Sequence, residues 1–83
     1  MFFECKVFGM DCLVNAEAIE VLEMDDVATS DGTRRERRIV AHTDHFSRVL
    51  WSTSYYPAEK QRAVMEAMEK MLDFQRVLSA RKV

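Results

Sequence analysis

The segment from Pro57 to about Ala80 carries apolar side chains at helical spacing, and it limits the folds open to the rest of the chain. Pro57 suits the first helical position, because its fixed φ is helical and its missing N–H would be unpaired there anyway. Glu59 follows in the first turn, where a carboxylate meets the positive end of the helix dipole. The apolar positions are Val64, Met65, Met68, Met71, Leu72, Val77 and Leu78, with Phe74 at the flank. We therefore predict one long amphipathic helix over residues 57–80.

The methionines of this helix allow two interpretations. Met65, Met68 and Met71 lie along one side of the predicted helix. Residues at such spacing most often belong to a core, and we expect these three to pack against a sheet. The alternative is an adaptable binding groove, because methionine is flexible and polarisable.

Three segments before the helix have the pattern of strands. Residues 47–55 alternate in a way that predicts a half-buried strand, with one face formed by Val49, Trp51, Thr53 and Tyr55. Residues 38–43 form a second strand, and the short connection between the two is of the kind that joins antiparallel neighbours. A further strand is predicted over Phe2–Phe8, with an apolar side formed by Phe3, Cys5 and Val7.

The charges are distributed unevenly along the chain. Residues 1–33 have one lysine against eight acidic residues, a net charge of −7, and the remainder carries +5. The segment 29–33 has the composition of a turn, in which Gly32 can adopt a positive φ. A hairpin around it would place Asp25 and Asp26 opposite Arg37 and Arg38. Such cross-strand pairs stabilise a sheet by about 0.2–1 kcal/mol each, so we expect the two charge excesses to neutralise each other.

The segment 15–24 is ambiguous between strand and helix. Asn15 is a good helix N-cap and Glu17 would sit in the first turn, which favours a helix. We prefer a strand with a bulge, because it completes the hairpin. The predicted fold class is α+β, a three- to four-stranded antiparallel sheet from residues 2–55 packed on one long C-terminal α-helix. The alternative is a β-α-β-β-α order.

Length and composition restrict the chain further. Its 83 residues suit a single domain, 1–83. Glu4 and Lys6 interrupt the apolar N-terminal run, which therefore does not have the pattern of a signal peptide. No segment reaches the roughly 18 consecutive apolar residues of a membrane span. We expect a cytoplasmic protein without a membrane partner, in which Cys5 and Cys12 are reduced.

Few residues in the sequence point to chemistry. His42, Asp44 and His45 are of metal-ligand types, but a catalytic zinc needs three protein ligands and an open position. Gly9 and Gly32 are the only glycines, which excludes a glycine-rich phosphate loop. We predict no catalytic residue, no metal site and no cofactor, and hence a non-enzymatic domain.

A binding module remains, and its partner could be of two classes. The candidate partner-binding residues are Arg34, Arg35, Arg37, Arg38, Tyr55 and Tyr56. We expect the partner to be another protein. The size and composition fit an inhibitor or adaptor of phage or mobile-element type that acts on a larger host complex. The alternative is nucleic acid, held by the Arg34–Arg38 cluster and stacked on tyrosines, although a pI near 5.6 is unusual for such a domain.

The predicted helix is also longer than the sheet beneath it. Residues 57–80 would span about 36 Å, because an α-helix rises about 1.5 Å per residue. Strands of six to eight residues span about 20–26 Å. The overhang would expose apolar side chains, which we assign to a homodimer interface formed by Phe74, Val77 and Leu78. In the alternative, the helix bends or the loop at Gly9–Val14 covers the overhang.

Overall fold

The computed structural model describes residues 1–7 and 9–80, which form five strands and one long helix. The elements are β1 (Phe2–Val7), β2 (Met10–Asn15), β3 (Val21–Ala28), β4 (Arg35–His42), β5 (Ser47–Tyr55) and α1 (Lys60–Ala80). Strands β1 and β2 form an antiparallel two-stranded sheet, and β3, β4 and β5 form an antiparallel three-stranded sheet in that order. The fold is therefore α+β with one C-terminal helix, as the sequence predicts. In the described part of the chain, no helix is long and apolar enough to cross a membrane.

Strand β2 replaces the loop that the sequence analysis expected at Gly9–Val14. Gly9 has a φ of 78° and allows the tight reversal that pairs β2 with β1. The residues after β2 are neither one continuous strand nor a long helix. Asn15 accepts a hydrogen bond from the Glu17 backbone N–H at 3.0 Å and caps a single 3-10 turn, Ala16–Ala18. The N-cap signal at Asn15 thus starts only one turn. The predicted end of the first strand, Phe8, lies outside the described residues.

The hairpin of β3 and β4 has the register predicted from the charges. Asp25 pairs with Arg38 and Asp26 pairs with Arg37. Gly32 has a φ of 73° in the connecting turn. The Asp31 carboxylate closes this turn by accepting hydrogen bonds from its neighbours on both sides. Asp25 and Asp26 are therefore neutralised by arginines of the same hairpin, as the sequence predicts.

A β-bulge interrupts the pairing of β4 with β5. Ile39 lies opposite Trp51 and Val40 lies opposite Val49, so Leu50 is the extra residue. A bulge turns one additional side chain towards the same face of the strand. The predicted simple alternation of β5 was wrong at this point, because Leu50 is buried in the core.

The C-terminal turns of α1 pack on the two-stranded sheet rather than overhanging it. The Phe74 ring meets the Phe3 ring edge-on, with centroids 5.0 Å apart and planes at 80°. Phe74, Val77 and Leu78 are half-buried against the core cluster. The expected overhang is therefore absent, since strand β2, which the sequence did not reveal, helps to form the sheet that covers these three residues. A homodimer interface at Phe74, Val77 and Leu78 stays a prediction.

Candidate binding surfaces on the helix and the sheet

Asp26 is the centre of a polar cluster formed by three strands. Its Oδ1 accepts a hydrogen bond from Arg35 Nε at 2.5 Å. Its Oδ2 accepts one from the Tyr55 hydroxyl and lies 3.5 Å from Arg37 Nη2. Burial alone would raise the pKa of Asp26, but hydrogen bonds from Tyr55 and Arg35 outweigh it and leave the pKa below its ordinary value. The arrangement holds β3, β4 and β5 together.

Asp25 and Arg38 form a second pair on the other side of the same hairpin. Neighbouring residues of a strand point to opposite faces, so this pair is separated from the Asp26 cluster by the sheet. Arg38 binds the Asp25 carboxylate in bidentate fashion, through Nε at 2.8 Å and Nη2 at 2.6 Å. The hydrogen bond from Arg38 is the main reason that the pKa of Asp25 lies below its ordinary value.

The domain is expected to lose stability in acid through these carboxylates. The pKa values of Asp25 and Asp26 are lowered by folding, and hydrogen bonds from Thr29 and Thr33 lower the pKa of Asp31 to about 2. A group with a depressed folded pKa contributes stability above its unfolded pKa, and this contribution is lost as the pH falls through the folded pKa. We expect the urea midpoint to fall between about pH 4 and pH 2.

A variant with Asp25→Asn and Asp26→Asn is the matched control for this titration. It should be less stable at pH 7 and should show a smaller fall in midpoint over the same acid range, because two of the three shifted groups are gone. If the urea midpoint fell equally with pH in the variant and the wild type, Asp25 and Asp26 would not be the cause of the loss of stability in acid.

The predicted partner-binding arginines and tyrosines do not form one surface. Arg35, Arg37 and Tyr55 converge on Asp26, whereas Arg38 lies at Asp25. Tyr55 is only 2% exposed, so its ring is unavailable for stacking.

The two remaining members of that predicted set lie at the surface or close to it. Tyr56 is exposed, and its backbone N–H donates to the Glu59 carboxylate at 3.2 Å. The Arg34 side chain is half-buried and makes no ion pair with residues 1–7 or 9–80. No hydrogen bond or ion pair joins Arg34 to Tyr56 within residues 1–7 and 9–80.

The residues with metal-ligand or nucleophilic side chains are dispersed. His42 Nδ1 lies 2.6 Å from Ser47 Oγ, and His42 Nε2 lies 3.4 Å from Glu23 Oε1. In the part of the chain that the structure describes, no three His, Cys, Asp or Glu residues are grouped to hold a metal ion. Burial, together with the neighbouring Cys12, raises the pKa of the Cys5 thiol and favours its protonated form.

An exposed apolar surface lies on the outer side of α1. Ala63 and Ala67, on which the helix rests, are fully buried. Met65, Met68 and Leu72 lie about 150° around the helix from these alanines, at about 100° per residue. They are 58%, 56% and 52% exposed. We call these three residues the methionine stripe.

A groove runs beside the methionine stripe, between α1 and the edge strand β3. It has a volume of about 190 Å³ and is lined by Met24, Met68, Met71 and Leu72. The spacing of the apolar residues predicted that Met65, Met68 and Met71 pack in the core, with an adaptable binding groove as the alternative, and did not place Met24 beside them. One signal was present, since the apolar positions of α1 occupy more of the helix circumference than one sheet can cover.

Comparisons of the chain with protein-family models, with curated proteins and with solved structures found no match.

Proposed function

We propose that this domain is a non-enzymatic protein-binding module whose contact surface is the methionine stripe with its adjoining groove. The observation that supports the proposal is the exposure of Met65, Met68 and Leu72 on one side of a helix whose other side is buried. A contiguous exposed apolar patch of this kind is typical of protein interaction sites.

A helical segment of another polypeptide is the occupant that fits this surface. The groove lies beside α1 and is lined by apolar side chains, and amphipathic helices dock in apolar grooves. Methionine side chains adapt to the shape of such partners. The size and acidity of the domain further suit an inhibitor or adaptor of phage or mobile-element type, acting in the cytoplasm on a larger complex. The free thiols of Cys5 and Cys12 fit a reducing compartment.

The ion pairs of the β3–β4 hairpin argue against the nucleic-acid alternative. Arg35, Arg37 and Arg38 are paired with Asp26 and Asp25, so they present little net positive charge to a phosphate backbone. A nucleic-acid-binding domain is expected to carry an uncompensated basic surface. The methionine stripe is apolar and uncharged, and this favours a protein partner.

Affinity capture with matched variants tests this function. The stripe variant carries Met68→Glu and Leu72→Glu, and the control carries Ser52→Glu and Ser54→Glu at exposed positions of β5. Both variants add two negative charges. Proteins retained by the wild type from a lysate of the source organism are identified, and each is then purified and titrated with all three forms.

We expect a purified partner to bind the wild type and the control equally and the stripe variant at least about 10-fold more weakly. Raising the salt from about 50 to 200 mM should change the affinity little, whereas binding through phosphates would fall steeply. A partner that binds the stripe variant as tightly as the wild type would contradict the proposal. So would retention that depends on nucleic acid and disappears after nuclease treatment.

A further inference from the structure

The methionine stripe is the centre of a longer uncharged seam on α1. The exposed seam positions alternate in steps of four and three residues and are Gln61, Met65, Met68, Leu72, Gln75 and Ser79. This is the spacing of the a and d positions through which two helices pack. The apolar residues are central and the polar ones lie at both ends, as in a contact between two helices that ends in solvent.

The two flanks of the seam differ in charge, and this difference sets the direction of a partner helix. One flank carries charges at positions 62, 69 and 76, and the other carries Val64, Met71 and Leu78. In a parallel pair of identical helices, each charged flank would face the apolar flank of the other copy. An antiparallel pair brings like flanks together, so that charges meet charges and apolar residues meet apolar residues.

The charges also select the register of an antiparallel pair. With the two-fold axis midway between Met65 and Met68, Arg62 of each copy lies beside Glu69 of the other. If the two-fold axis lay one helical turn further along, near residue 70, Glu69 of one copy would lie beside Glu69 of the other. The methionines of the two copies would then no longer lie opposite each other. Glu69 is exposed and makes no ion pair with residues 1–7 or 9–80, so it is available for a partner.

From this complementarity we propose that a second copy of the chain occupies the methionine stripe. The two α1 helices are antiparallel, and Arg62 of each copy pairs with Glu69 of the other. This proposal depends on the proposed function, since it names the partner for the same surface. The facing segments, residues 61–72, are roughly 17 Å long. Such a contact buries on the order of 1,000 Å² in total, the low end for a specific interface, so the expected dissociation constant is roughly micromolar.

Charge-reversal variants, studied by sedimentation equilibrium from about 1 to 200 μM, test the proposal. Arg62→Glu and Glu69→Arg each place like charges across the two-fold axis and should each remain monomeric in this range. A mixture of the two restores both ion pairs in a heterodimer and should associate at least about 10-fold more tightly than either variant alone. Arg62 also pairs with Glu59 and Glu66 in its own chain, so circular dichroism must confirm that its variant keeps the helix.

Two further variants separate this proposal from the function it depends on. Met68→Glu should abolish self-association, and Lys70→Glu, at an exposed position outside the seam, should leave it unchanged. A wild type that is monomeric at 200 μM, or a mixture that associates no better than its components, would overturn the self-association. The protein-binding function would still stand if a purified heterologous partner lost affinity for the Met68→Glu, Leu72→Glu variant, and would fall if that affinity were unchanged.

Discussion

Replacing Asp26 with alanine is expected to lower the free energy of unfolding by about 2–4 kcal/mol. The substitution leaves the buried Tyr55 hydroxyl without its acceptor and the Arg37 guanidinium, whose side chain is only 17% exposed, without a counter-charge. Arg37 Nε already has no hydrogen-bond partner among residues 1–7 and 9–80. Urea unfolding at pH 7 measures the change.

The matched control is Asp25→Ala, which removes the neighbouring carboxylate from the opposite face of the sheet. The Asp25 and Arg38 side chains are each more than a quarter exposed, so water can replace the lost partner. We expect a loss of about 0.5–1 kcal/mol. Equal losses for the two variants would contradict the distinction between a half-buried cluster at Asp26 and a more exposed pair at Asp25.

Phe74→Ala is expected to cost about 2–4 kcal/mol of unfolding free energy, because it leaves a cavity against the core and removes the edge-on contact with Phe3. The comparison is Leu72→Ala, two residues earlier on the exposed side of α1, which should change the stability by less than about 0.5 kcal/mol. Both are measured by urea unfolding at a dilution at which the protein is monomeric.

A small loss for Phe74→Ala in the monomer would mean that the C-terminal turns of α1 do not pack on the two-stranded sheet. Phe74, Val77 and Leu78 would then again be candidates for an interface between copies. A loss that appears only at concentrations where the protein self-associates would have the same meaning.

The sequence predicted the hairpin register correctly because two independent signals agreed. The turn at 29–33 fixed the position of the reversal, and opposite charges placed Asp25 and Asp26 across from Arg38 and Arg37. Side chains alternate between the two faces of a strand, so shifting the register by one residue would move every side chain to the wrong face. Only one register of β3 against β4 is therefore compatible with both signals. The helix was predicted for a similar reason, since Pro57 and a long 3.6-residue period agreed on its position.

The missed strand β2 has a weak pattern. Its buried residue Val14 alternates with Leu13, which is also apolar but is exposed, so the sequence shows no clear alternation. Gly9 alone marks the reversal before it. Without β2 the end of α1 had nothing to cover it, and its half-buried apolar residues were expected to be exposed.

The buried side of α1 was also misjudged, for a physical reason. A helix approaches a sheet closely where its side chains are small, and the fully buried contact residues are Ala63 and Ala67. Hydrophobicity alone favours Met65 and Met68 for that role. The longer side chains of Met65 and Met68 therefore lie on the outer side of α1, where they form part of the methionine stripe.

Methionine oxidation tests most directly whether the stripe is a protein contact surface. Peroxide converts exposed methionines to sulfoxides, and mass spectrometry of peptides gives the rate at each position. Met65, Met68, Met1 and Met10 are all more than half exposed, so all four should react readily in the dilute protein. In concentrated protein, or in complex with a purified partner, we expect Met65 and Met68 to be protected at least about fivefold while Met1 and Met10 react as before. Unchanged rates at Met65 and Met68, with protection at Met1 and Met10, would show that the contact surface lies elsewhere.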